Sequence, residues 1–361
     1  MSRVVYIHVG APKTGTTYLQ DRLALNRSAL AEHGIHYPAL SARDVDHFRP
    51  ALDLMGADWG GPSGHADGQW DALVKKVRRL DGTVIISHEI LSAAPADKVA
   101  RAMRDLEDSE VHVVYSSRDL ARQIPATWQE SIKQRRRWSY SRYLKKLQAQ
   151  PDAFFWRSQG LPGVLGRWSA GLPPEQVHVV TVPPAGASQD LLFHRLCKVF
   201  GIDPEWAPAA SERDNPSMGV AETAVVRQLN RRLHRSELTS DEHAALVKNL
   251  LVHDTLARRP DPNRATLPPR LYPWANRVAE EWVEWIEGSG IDVVGDVEEL
   301  RPVPPPEDQE WLNPDRPGRK QTLDAALEAL AVMTQEAARR PDPEQQLTGK
   351  VSKAMKSIRG Q

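Results

Sequence analysis

The stretch Val4-Val5-Tyr6-Ile7-His8-Val9-Gly10-Ala11-Pro12-Lys13-Thr14-Gly15-Thr16-Thr17 constrains this chain more than any other. Val4, Val5, Tyr6, Ile7 and Val9 make an almost unbroken apolar run, the pattern of a strand covered on both faces in a parallel sheet. Gly10 and Gly15 let the backbone turn tightly, so that successive N–H groups can converge on an anion before a helix begins near Thr16. The dipole of that helix adds to the attraction. A strand of this kind belongs to an α/β protein.

Further strand and helix units follow. Val84-Ile85-Ile86 reads as a second buried strand ending in Ser87-His88-Glu89, and Asp97 to Leu106 as its covering helix. Val111 to Tyr115 is a third strand, closed by Ser116-Ser117-Arg118-Asp119, and the next helix carries Trp128 and ends in Lys133, Arg135, Arg136 and Arg137. Val177 to Val182 and Leu191 to Phe200 repeat the unit. Ligands of open α/β sheets bind where such strands end. Leu19, Leu23 and Leu30 predict one helix running to Gly34, followed by a short strand at Ile35 to Pro38. Residues 41 to 70 read as loops and helix fragments that could cover a pocket, with His47 as a packing residue before a site residue. Phe154, Phe155, Trp156 and Trp168 read as core or pocket wall.

From Asn215 the pattern is helical, with packing stripes around Val225, Leu250 and Trp274 to Trp285. Residues 1–302 are expected to form the α/β domain, 303–320 a Pro-rich linker, and 321–361 an amphipathic helix and polar tail. Leu323, Leu327, Leu330 and Met333 mark that helix, which could dock on the domain or pair with another copy of the chain.

Composition removes several classes. Lysines and arginines number 47 and so do aspartates and glutamates, which argues against a general nucleic-acid or membrane-surface binder. Cys197 is the only cysteine, so there is no intramolecular disulfide and no thiolate cluster for a metal. Without a visible signal peptide or an apolar run near the roughly 20 residues that span a bilayer, a cytoplasmic location is expected.

The loop differs from the usual nucleotide-triphosphate loop, in which lysine directly follows the second glycine. Thr16 holds that place here, and the lysine sits inside the loop as Lys13. Lys-Thr-Gly-Thr-Thr after a buried strand resembles the 5′-phosphosulfate loop of sulfotransferases that use 3′-phosphoadenosine 5′-phosphosulfate (PAPS). Arg118 after a strand, then a helix with a tryptophan, is similar to the arginine of that family that holds the 3′-phosphate. The family's serine eight positions later is Ala126 here, and the neighbouring Thr127 lies about 100° round a helix. Ile291 to Pro302 resembles the closing Val-Gly-Asp…Leu…Pro segment of bacterial members.

The resemblance implies a P-loop-like α/β fold with a central parallel sheet, and sulfuryl transfer from PAPS to a hydroxyl or amine of a glycan, glycolipid or small natural product. It implies a cofactor site of Ala11, Pro12, Lys13, Thr14, Gly15, Thr16, Thr17, Arg118 and Thr127, with no metal. Lys13 would neutralise charge that develops in transfer, and Glu89, or else His88, would take the acceptor proton. If the strand continues to Glu89, Ser87 and Glu89 share one face and His88 the other. Desolvation is expected to raise the affinity of Glu89 for its proton. The Arg135–Arg137 run reads as a solvated helix end, with contact to an anionic acceptor or the cofactor as a second reading. A nucleoside-triphosphate kinase and a catalytically silent nucleotide-binding scaffold are the alternatives.

Overall fold

Six parallel strands form one sheet: β1 (Val4–His8), β2 (Ile35–His36), β3 (Thr83–Ser87), β4 (Glu110–Ser117), β5 (Val177–Thr181) and β6 (Asp292–Val294). They lie in the order β2-β3-β1-β4-β5-β6 in a computed structural model that describes residues 3–41, 44–59, 61–211, 217–233, 237–260 and 263–340. Val5 stands opposite Val84 on one side and Val111 on the other, and His8 opposite Ser87 and Val114. The chain leaves β1 toward β3 and leaves β4 toward β5, so the direction of winding reverses between β1 and β4. That reversal opens a crevice at the carboxyl ends of the two strands.

Alternation along each strand supplies two cores. Val5, Ile7, Val84, Ile86, Val113 and Val179 pack with Trp70, Trp128 and Trp168 on one face. Ile85, Val114 and Val180 pack with Leu19, Leu23, Phe193 and Phe200 on the other. Each fully buried aliphatic side chain contributes on the order of 1.5–3 kcal/mol, which is why the apolar runs fall where two layers of helix cover the sheet. The expected α/β class with a helix-flanked parallel sheet is what the chain adopts.

Several expectations need correction. The helix behind the loop is two helices, Thr16–Leu25 and Arg27–Glu32, because the Asn26 amide bonds the Arg22 and Ala209 carbonyls and breaks the run. β3 stops at Ser87, and Glu89 opens a 3-10 turn, Glu89–Ala93, capped by the His88 ring accepting from the Ile90 amide. The helix after Arg118 spans Leu120–Lys133, so Arg135 to Arg137 lie beyond its end and not on its last turn. His47, by contrast, packs as expected, its buried ring donating to the Pro38 carbonyl at 2.7 Å and accepting from the Ser87 amide at 3.2 Å, the amide that two-residue β2 is too short to satisfy.

Residues 303–318 run without regular structure, and Asp315 within them accepts from the Tyr140 and Ser141 amides. The helix Arg319–Arg339 then lies on the helix Val220–Arg232 of the same chain and buries Ala325 and Ala329, leaving Leu323, Leu327 and Leu330 exposed. Asn215 and the tail from Pro341 lie outside the described residues. No helix among the described residues is long and apolar enough to cross a membrane.

Candidate anion-binding site

The loop after β1 crosses the crevice with three positive-φ residues, Gly10 at φ 109°, Lys13 at φ 68° and Gly15 at φ 88°. Left-handed turns between right-handed ones aim neighbouring N–H groups into one concavity, and glycine adopts them without strain. The loop is pinned on both sides. The Ala11 amide donates to the Ser116 carbonyl at 2.9 Å, Thr14 Oγ1 donates to the Ala11 carbonyl at 2.6 Å, and the Gln159 amide donates to the Pro12 carbonyl at 3.2 Å. Thr16 is buried at the helix start and Thr17 is half-buried beside it.

Glu89 lies directly beneath the loop. A Cβ on Gly10 would stand 3.1 Å from the Glu89 Cα, so only glycine lets the loop pass this close. Gln20 donates to the Glu89 carboxylate at 3.3 Å and to Ser87 Oγ at 3.4 Å, which puts Ser87 and Glu89 on one side although the strand has ended. The expected rise in Glu89 basicity does not occur. Burial pushes its carboxyl up, but His88, its own amide, and the Thr16 and Gln20 donors outweigh this and hold it below the usual range. His8, fully buried between Ser87 Oγ at 2.8 Å and Ser116 Oγ at 3.0 Å, is held neutral by burial, which lowers it to about 4.

Arg118 stands at the end of β4 on the opposite wall. Its Nη1 donates to the Lys13 carbonyl at 3.3 Å, and its buried Nε has no hydrogen-bond partner among the described residues. Asp119 does not pair with it. That carboxylate caps the Leu120–Lys133 helix by accepting from the Arg122 amide at 2.9 Å, and it also takes the Arg122 guanidinium. Burial, with the charges of Arg122 and Arg264 nearby, lowers Arg118 to about 10.

Lys13 reaches along the same helix to Glu130, Nζ to Oε2 3.2 Å, and Lys133 approaches that carboxylate at 3.9 Å. Burial raises the Glu130 carboxyl, and the two lysines overcome this and hold it down at about 2. The Lys133 side chain is 4% exposed. Burial first, and Lys13 second, lower it to about 8. The charge of Lys248 acts on both, and His253 feels all three lysines. These last two come from a π-helical segment, Ala244–His253, a rare geometry that often marks functional sites.

The arrangement therefore brings together Lys13, Arg118, the loop amides, Thr16 and Glu89. Thr127 is near but engaged: its hydroxyl bonds the Gln123 and Ile124 carbonyls and the Tyr143 hydroxyl, each at 3.0 Å. His88 is buried with one ring nitrogen committed to its cap. Sequence reasoning missed Glu130, Lys248, His253 and Arg264, and read Lys133 only as part of a basic helix end. Glu130 and Lys133 share a helix face with Thr127, a visible signal; Lys248 and His253 carry none, since their five-residue spacing aligns only in a π-helix. Chemically, the crevice offers a cationic, donor-rich cradle with the Glu89 carboxylate beneath it and the Glu130 carboxylate on Lys13. No family model, no curated protein and no solved structure matches this chain.

Proposed function

We propose that the chain is a PAPS-dependent sulfotransferase on a P-loop-like fold, acting in the cytoplasm on a hydroxyl or amine of a glycan, glycolipid or small natural product. The observation that carries this reading is Arg118, a half-buried fork of donors beside the loop whose adjacent carboxylate is taken by Arg122 and whose buried Nε is unpartnered among the described residues. A guanidinium so placed suits a phosphate dianion, here the 3′-phosphate. PAPS, when bound, supplies an activated sulfuryl group whose departure leaves charge on the 5′-phosphate. In this reading Lys13 and the loop amides neutralise that charge, and preorganised donors of this kind supply much of the acceleration in such transfers. Glu130 holds Lys13 in position meanwhile. Glu89, kept deprotonated, takes the acceptor proton.

The acceptor approach is supported by two exposed rings, Trp59 and Phe154, which meet edge to face at 6.2 Å. The elements that bear or precede them, the helices Phe154–Gln159 and Phe48–Met55, both pack against the Glu89 turn. Such rings suit a sugar or aromatic face. Pairing of two copies through Leu323, Leu327 and Leu330 belongs to the same reading.

One feature favours a nucleoside-triphosphate kinase instead: Thr16 lies close enough to the Glu89 carboxylate to help hold it below the usual range, and a hydroxyl and a carboxylate together can hold magnesium. Against this, no lysine follows Gly15. Turnover of PAPS over a panel of phenols, alcohols and glycans, followed as release of adenosine 3′,5′-bisphosphate, decides between them. Glu89→Gln should lose roughly 10²–10⁴-fold in turnover and His88→Ala far less. Collapse of the alanine variant with a near-normal glutamine variant moves the base to His88. Turnover of magnesium–ATP with none of PAPS moves the reading to a kinase.

A further inference from the structure

Beyond the Leu120–Lys133 helix the chain builds a second basic site. A cavity of about 650 Å³ is lined by Arg135, Arg136, Arg137, Trp138, Arg142 and Arg231. Its walls are held in place. Arg135 takes a left-handed turn at φ 65° and donates to the Leu238 carbonyl at 3.0 Å, and Arg137 donates to the Leu233 carbonyl at 3.0 Å. Trp138 organises the rest: Lys146 Nζ lies 4.7 Å from its ring centre, the Arg142 guanidinium 5.7 Å and that of Arg136 5.9 Å. Cations held over an aromatic face are fixed without being neutralised.

Among the described residues, Arg136, Arg142, Lys146 and Arg231 form no ion pair with a carboxylate. Asp315, which binds the Ser141 amide at 2.8 Å, is committed to Arg227 at 2.8 Å. In a chain with equal numbers of basic and acidic residues, Arg136, Arg142 and Arg231 around one cavity, with Lys146 over the Trp138 ring that lines it, form a local concentration of positive charge that suits an anion. The volume lies within the roughly 300–1,000 Å³ of small-ligand sites, smaller than a track for a nucleic-acid duplex. Single strands need an open aromatic platform for base stacking, and the Trp138 ring is already engaged by three cations. Guanidinium forks suit carboxylates and sulfates on a compact ligand.

We infer that this groove binds the anionic end of the acceptor, an oligosaccharide carrying carboxylate or sulfate groups. Arg135 stands two residues from Lys133, which touches the Glu130 partner of Lys13, so a ligand seated in the groove extends toward the transfer site. The word acceptor rests on the sulfotransferase reading; the anion site does not.

The test titrates the full chain with tetragalacturonate, a heparin tetrasaccharide, neutral maltotetraose, a single-stranded oligonucleotide and adenosine 3′,5′-bisphosphate. One or both acidic tetrasaccharides should bind and maltotetraose should not. The double variant Arg142→Glu, Arg231→Glu should weaken acidic binding by about tenfold or more, and Arg142→Gln by less, since each charge-assisted contact is lost separately. Affinity for the bisphosphate should be unchanged in both variants, which also reports that they are folded. Equal binding of acidic and neutral sugars, unaltered acidic binding in the double variant, or tighter binding of the oligonucleotide overturns the inference. Acidic binding that the double variant loses, with no bisphosphate binding by any form, upholds the groove and removes the transfer reading.

Discussion

Arg118 and Asp119 are neighbours in sequence and part company in space. The carboxylate turns to cap the following helix and hold Arg122, and the guanidinium turns to the loop. Capping satisfies helix amides that otherwise have no partner, so it competes well for a carboxylate at that position. The arginine is left half-buried with no carboxylate paired to it among the described residues, an arrangement that suits a bound anion. Arg118→Ala should therefore weaken adenosine 3′,5′-bisphosphate by about tenfold to a hundredfold, the loss of a charge-assisted contact, and leave 5′-AMP almost untouched. Competition binding measures both; equal losses would mean a structural arginine. At this scale Lys13, Arg118 and Glu89 were legible because each sits where a buried apolar run stops. The helix face that carries Glu130 was visible too, but its partner was not, since Lys13 lies 117 residues away along the chain.

At the scale of elements, the helix Leu120–Lys133 does two jobs. Leu120, Ile124 and Trp128 bury one face in the core, and Gln123, Thr127 and Glu130 present another. Gln123 and Glu130 on that second face bond the loop, while Thr127 is tied to its own helix and Tyr143. The apolar stripe could be read from the sequence; what the polar stripe faces could not, because only the fold brings the loop to it. Lys133 gives this helix a pH signature. Its folded value near 8 lies below the ordinary lysine range, so between the two the unfolded chain binds more protons and stability rises with pH. A bound anion favours the protonated lysine. Affinity for adenosine 3′,5′-bisphosphate should accordingly fall as pH rises through about 8, and Lys133→Arg, which keeps its proton, should flatten the profile. Calorimetric titration on either side of that value checks this, and a flat profile for the unaltered chain would remove Lys133 from the site.

At the scale of the whole molecule, five of the six strands were legible, β6 being read only as a closing segment, and the helical layer over the sheet only partly so. Strand runs declare themselves by burial on both faces, whereas the helical stripes from Val220 onward do not say which neighbour they cover. Residues 303–318 illustrate this: proline content suggested a linker, yet Asp315 ties them to the helix Tyr140–Ala149 and to Arg227, whose side chain is 6% exposed. Removing one partner of a buried pair strands the other charge, so Asp315→Ala should cost about 3 kcal/mol in denaturant unfolding; a change below about 1 kcal/mol would mean the segment is loosely held. The crevice between β1 and β4 should bind adenosine 3′,5′-bisphosphate, which the thermal midpoint of the intact chain in chelator measures. Adenosine 3′,5′-bisphosphate at a hundredfold excess over its Kd should stabilise by about 2.7 kcal/mol without magnesium, raising the midpoint by several degrees, and ATP should do much less. Strong stabilisation by magnesium–ATP with none by the bisphosphate would contradict the account.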